Sequence, residues 1–172
     1  LPYSLTDAQT RVVREILRDQ KSLFPMNRLV QGDVGSGKTV VALIAIFNVV
    51  KCGYQATLMV PTEILANQHY QEAKKLLEPF GIHIELLTGS TSAKEKRRIK
   101  ELITTDMPMV VIGTHALIQE DVDFKNLGLV VTDEQHRFGV EQRNRLINKG
   151  RRPDVLVMTA TPIPRTLALY VY

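Results

Sequence analysis

Cysteine is nearly missing from this chain. A single one, Cys52, stands among 172 residues, so no internal disulfide can form and a zinc site built on thiolates is disfavoured. Because Cys52 follows an apolar helical run, its thiol is expected to be buried or half-buried, in a reducing, intracellular setting. Long hydrophobic runs are missing too. The longest, Val40 to Val50, falls well short of the roughly 20 residues that cross a bilayer, and no signal peptide opens the chain. The chain is therefore expected to be soluble and cytoplasmic, with no membrane partner. There is no internal repeat and no low-complexity segment. A strong charge bias is also absent: the formal net charge is +4, which permits a polyanionic partner without demanding one. His69, His83 and His115 show no metal-ligand spacing.

What is present centres on Gly32-Asp33-Val34-Gly35-Ser36-Gly37-Lys38-Thr39, which reads G-x-x-x-x-G-K-T. A short apolar strand (28–31) precedes it and a helix follows, the order a triphosphate site needs. Glycines at 32, 35 and 37 free the backbone to turn a row of N–H donors toward a phosphate, where a Cβ would collide. The first turn of the helix adds unpaired N–H groups and the positive end of its dipole. Lys38 supplies a positive charge to the β- and γ-phosphates, and the Thr39 hydroxyl is placed to ligate Mg²⁺. ATP and Mg²⁺ are the implied ligands.

Along the rest of the chain, strand-like and helix-like stretches alternate. Helical spacing runs over 6–18, with Thr6 or Asp7 as N-cap, over 40–50 up to Gly53, over 62–78, over 92–103 and over 140–147. Apolar strand patterns occupy 55–60, 82–88, 109–112, 127–132 and 154–158, with loops at 21–27 and 149–153. The mixed charges of 94–101 read as a solvated helix face. Strands apolar on both sides, alternating with helices, predict an α/β fold with a doubly wound, mainly parallel sheet, in which motifs placed after strands converge at the strands' carboxyl ends. Asp133-Glu134 follows such a strand. There Asp133 is expected to hold Mg²⁺, in part through water, and Glu134 to orient and deprotonate the attacking water.

With these two centres the chain resembles the superfamily two helicases. Asp133-Glu134-Gln135-His136 is a variant of their D-E-x-H/D box, and further motifs follow in the family's order. Leu5 to Gln9 is similar to the Q motif, Pro61 to Gln68 to motif Ia, Thr88 to Ser90 to motif Ib, Gly113 to Leu117 to the next strand-contacting motif, and Thr159 to Thr166 to motif III. The string from Asp133 to Arg143 is closest to the branch that remodels stalled forks and Holliday junctions; the transcription-repair coupling factors, its near cousins, usually carry Glu where Gln135 stands.

The resemblance implies the first of two RecA-like motor domains, spanning 1–172, that acts on double-stranded and branched DNA as a monomer. Gln9 would read adenine and Gly32, Asp33, Val34, Gly35, Ser36, Gly37, Lys38 and Thr39 would hold the phosphates, with Lys38 and Glu134 catalytic. Pro61, Thr62, Gln68, Thr88, Gly89, Thr114 and His115 would contact the DNA backbone, and Gln135, His136, Thr159 and Thr161 would link nucleotide state to DNA contacts. For His136 a purely structural role is the alternative. The start at Leu1-Pro2 and the lack of any match after Thr166 to a second motor domain, or to a wedge domain, suggest a piece of a longer chain. Such a piece is expected to bind ATP weakly, to hydrolyse little and not to unwind DNA. Two other readings stand beside this one. A small-molecule kinase or GTPase could use the same loop, although Asn148-Lys149-Gly150-Arg151 lacks the Asp of a guanine-reading N-K-x-D. A non-catalytic nucleotide switch would have no need of Glu134.

Overall fold

The computed structural model describes residues 4–22, 25–31, 37–133, 140–150 (backbone only to 143) and 153–159. The elements in order are α1 (Asp7–Gln20), β1 (Asn27–Gln31), α2 (Lys38–Lys51), β2 (Gln55–Met59), α3 (Glu63–Leu77), β3 (Ile84–Leu87), α4 (Ala93–Leu102), β4 (Val110–Gly113), β5 (Leu127–Asp133), α5 (Val140–Ile147) and β6 (Asp154–Thr159). The expected alternation is present, with strand ends displaced by one or two residues. Short 3-10 turns at Glu78–Phe80 and His115–Ile118 were not foreseen; Pro79 accounts for the first, since it cannot continue an α-helix.

Local signals set the helix starts. The Thr6 side chain accepts from the Gln9 amide N–H while the Gln9 side chain accepts from that of Thr6, a reciprocal cap worth about 1 kcal/mol. Thr62 and Ser92 cap α3 and α4 with one bond each, accepting from the backbone N–H of Leu65 and of Glu95. α2 has no side-chain cap: it begins at Gly37, which takes φ 82°, a left-handed conformation that costs an L-residue roughly 1–2 kcal/mol.

All strand pairings are parallel, in the order β1-β6-β5-β2-β4-β3. Alternation along the strands divides the core. Val30, Leu58, Val110, Ile112, Leu129, Val131, Leu156 and Met158 face α1, α2 and α3. Met59, Leu87, Val111 and Val130 face α4 and α5. β2 is buried from end to end, as a strand covered on both faces must be. Buried Gln55 closes its own polar account: its Nε2 donates to the carbonyls of Ile103 and Thr105, and its Oε1 accepts from the Asn126 N–H.

Cys52 departs from expectation. Its thiol is exposed, because the chain leaves the core after Val49 and Val50 and Cys52 caps the helix on the solvent side. The charged helix α4 is wet as expected, and some of its charges are paired: Arg98 with Glu85 and Glu95, and Lys100 with Asp121. Among the described residues, no helix is long and apolar enough to cross a membrane.

Candidate functional site

Register aligns the carboxyl ends of all strands on one edge of the sheet. Gln31 of β1 lies beside Thr159 of β6, Met158 beside Asp133 of β5, Thr132 beside Met59 of β2, Met59 beside Gly113 of β4, and Gly113 beside Leu87 of β3. Several of the motifs begin at or just after one of these ends. Reading along the edge, the end of β1, Thr159 and Asp133 occupy one half. Pro61-Thr62 after β2, Thr114-His115 after β4 and Thr88-Gly89 after β3 occupy the other. The residues expected to serve the nucleotide and those expected to serve nucleic acid are thus sorted into adjacent halves of one edge. Chain order mixes them; strand order separates them.

In the first half, Asp133 continues the alternation of Leu129 and Val131 and therefore faces the helices α2 and α3. Lys38 and Thr39 begin α2 and are half-buried. The Asp133 carboxylate is buried, and among the described residues its ionisable neighbour is the His69 ring of α3, whose Nε2 lies 3.7 Å from Oδ2. A buried carboxylate with no hydrogen bond among the described residues is an oxygen donor of the kind that suits Mg²⁺, and Thr39 offers a hydroxyl at the start of α2. The residues present fit the ion. Among the described residues no cluster of three or more His, Cys, Asp or Glu forms a metal cage.

Gln9 is drawn to the same place. Its Nε2 donates to the Gly37 carbonyl at 3.4 Å, and a Cβ added at Gly37 would lie 1.9 Å from that nitrogen. Glycine is needed there for backbone conformation, and a side chain would also push the flexible Gln9 amide off the carbonyl. Thr159 is buried at the end of β6. Gly32, Asp33, Val34, Gly35, Ser36, Glu134, Gln135, His136 and Thr161 lie outside the described residues.

In the second half, Thr62 and Gln68 are exposed and Pro61 half-buried, while Thr88 and Thr114 are buried. Those two side chains are withdrawn from solvent, so among the expected DNA contacts of these turns Gly89 and His115 carry the accessible surface. Gly113 has no room for a side chain, because a Cβ would stand 2.0 Å from the Leu87 carbonyl oxygen.

A contact the sequence did not disclose joins two of these turns. Glu63, the first residue of α3, accepts at Oε1 from the Ser90 N–H at 3.0 Å and at Oε2 from the Ser90 hydroxyl. These donors hold the Glu63 carboxyl below its ordinary value. Lys96 donates to the Gly89 carbonyl at 3.2 Å, so the Thr88-Gly89-Ser90 turn is fixed from both sides. A cleft of about 700 Å³ lined by Gln20, Tyr54, Asn126 and Lys149 lies at the opposite edge, by the amino ends of β2, β5 and β6, and holds none of the motif residues.

A family model, DEAD/DEAH box helicase, matches residues 6–169. The chain is 56% identical over its whole length to the ATP-dependent DNA helicase RecG of Bacillus subtilis and 58% identical to that of Thermotoga maritima, covering 25% and 22% of those proteins. Over 169 residues it is 59% identical to RecG of Synechocystis, of which it covers 20%. The chain thus spans about a quarter or less of the length of these curated relatives. A solved RecG bound to a three-way DNA junction superposes with a TM-score of 0.87 at 56% identity, over 100% of this chain and 23% of that one. The UvsW helicase of bacteriophage T4 shares the fold, with a TM-score of 0.71 at 17% identity over 98% of this chain and 57% of that one.

Proposed function

Since the chain belongs to the DEAD/DEAH box helicase family, we propose that it is the ATP-binding and ATP-hydrolysing half of a RecG-type motor that moves on double-stranded DNA and remodels branched DNA. The observation that carries this reading is the sorted edge: the end of β1, Thr159 and Asp133 on one side, and the turns after β2, β4 and β3 on the other. The 56–59% identity to three RecG proteins and the junction-bound RecG structure support the choice of branched DNA.

In this reading Gly37 and the first turn of α2 present N–H donors to the phosphates, and Lys38 places its ammonium beside the β- and γ-phosphates. Gln9 braces the loop from α1 and reads the adenine edge. Thr39 and Asp133 hold the magnesium ion, which would neutralise charge on the transferring phosphoryl group. Glu134, next in sequence to Asp133, orients the attacking water and takes its proton. Thr159 and Thr161, with Gln135 and His136, report the state of the phosphates to the DNA half of the edge. Contacts from Thr62, Gln68, Gly89 and His115 go to the DNA backbone, carry little sequence information and weaken as salt rises. A second RecA-like domain completes the site with an arginine worth roughly 10³ to 10⁵ in rate, so residues 1–172 alone hydrolyse ATP slowly.

The test uses the full chain that carries this domain. Lys38→Ala is expected to lose ATP binding, and Glu134→Gln to keep binding and lose turnover. ATP hydrolysis by Glu134→Gln at the parent rate would remove Glu134 as the base. A preference for GTP over ATP, or phosphoryl transfer to a small metabolite, would replace the motor reading by that of a P-loop kinase or GTPase.

A further inference from the structure

His69 occupies the core-facing stripe of α3, between Ala66 one turn before it and Ala73 one turn after. Its side chain is 12% exposed, and both ring nitrogens are buried without a hydrogen-bond partner among the described residues. An apolar side chain would fill that position without leaving buried polar atoms unpaired, which is costly. Within 4 Å of the ring, the charged group present among the described residues is the Asp133 carboxylate, 3.7 Å from Nε2. The two residues come from different elements, brought together because α3 follows β2 and β2 lies beside β5.

We infer that His69 is a positioning residue, which fixes the orientation of the Asp133 carboxylate and ties it to α3, the helix whose first residues belong to the DNA half of the edge. The inference rests on the reading of Asp133 as a magnesium ligand. In the neutral imidazole one nitrogen donates and the other accepts, and the tautomer with the proton on Nε2 donates to Oδ2. An approach of about 0.5 Å brings the pair into hydrogen-bond range. With Oδ2 so held, the other carboxylate oxygen is directed away from α3. α3 is a continuous helix from Glu63 to Leu77, and its Thr62 cap sits two turns from His69, so a displacement at the DNA side is carried to the carboxylate by one stiff element.

The partner that orients a metal-binding side chain is worth about 10- to 100-fold in metal affinity, and a single contact belongs at the low end. The measurement is binding of a fluorescent ATP analogue to the full chain as magnesium is varied, with EDTA as the zero point. His69→Leu removes the polar ring and keeps the stripe apolar. It is expected to melt no lower than the parent and to need about tenfold more magnesium for half-maximal binding. Its ATP hydrolysis is expected to be stimulated less by DNA. His69→Gln, whose amide nitrogen reaches the place of Nε2, should return the magnesium requirement to within about threefold of the parent. A purely structural role would lower the melting temperature and leave the magnesium titration unmoved. Parental magnesium dependence in His69→Leu, beside a lost dependence in Asp133→Asn, overturns the inference. An unchanged dependence in Asp133→Asn overturns the metal assignment of Asp133 itself, and the inference with it.

Discussion

The side-chain nitrogen of Gln9 donates to the carbonyl of Gly37 at 3.4 Å across 28 residues of chain, while the same amide's oxygen caps α1 through the Thr6 N–H. One side chain thus joins the start of the first helix to the end of the phosphate loop. Gly37→Ala meets two obstacles there: φ of 82°, and a Cβ 1.9 Å from Gln9 Nε2. The backbone term alone predicts a loss of roughly 1–2 kcal/mol by urea denaturation. ATP affinity should fall as well. Combining the change with Gln9→Ala removes the collision and leaves the backbone strain, so the double variant should remain below the parent in stability.

Gly113→Ala tests the other half of the edge. Its new methyl group would press on the Leu87 carbonyl at 2.0 Å and on the Leu117 side chain at 3.1 Å, and the first of these belongs to the backbone of β3. Overpacking of this kind costs about 1–3 kcal/mol. The turns after β3 and β4 carry Thr88, Gly89, Thr114 and His115. DNA affinity is therefore expected to drop while ATP binding without DNA stays at the parent value. Equal loss of both would mean that the two halves do not act separately.

Glu85 gives the acid limb of stability. Burial would push its carboxyl up, but hydrogen bonds from Arg98 and His83 outweigh burial and hold it below the ordinary value of 4.5. For a carboxyl depressed in the folded state, the stabilisation is present above the ordinary value and is lost as pH falls through the lower folded one. Glu85→Gln is expected to melt below the parent at pH 7, with the two curves converging as pH falls below about 4.5. A difference that persists undiminished into that range would assign the effect to packing.

Asp154 has the opposite sign. Burial raises its carboxyl above the ordinary 3.8 although it accepts the Met26 N–H at 2.7 Å. Its charge therefore burdens the fold at neutral pH, and the burden lifts as pH falls through the raised value. Asp154→Asn keeps an acceptor and drops the charge, so at pH 7 it should melt at or above the parent temperature. A lower melting temperature there would show that the charge itself strengthens the Met26 bond.

The elements were legible in the sequence because β-branched runs such as 127–132 and 154–158 are apolar on both faces, a pattern only a covered strand needs. Thr6 announced its helix through capping chemistry, whereas the caps at Thr62 and Ser92 came from the structure. The order of strands was not legible, since parallel crossovers of this length permit several neighbours for β1. Glu63 with Ser90 and His69 with Asp133 were hidden for the same reason: each pair joins residues from separate elements, and no spacing along the chain encodes it. Cys52 was misjudged because hydrophobic neighbours in sequence say nothing about which side of a helix end meets solvent.

The strand order also has a consequence for biosynthesis. Of the six described strands, β1 is made first and lies at the sheet's margin, yet the strand beside it, β6, is made last; Met26 waits for Asp154 across 128 residues. β2, β3 and β4 can pair as soon as they emerge, whereas β1 gains its flanking strand only once β6 has been synthesised. Among the described strands, the margin that leads toward Lys38 is thus the last part of the sheet to be assembled.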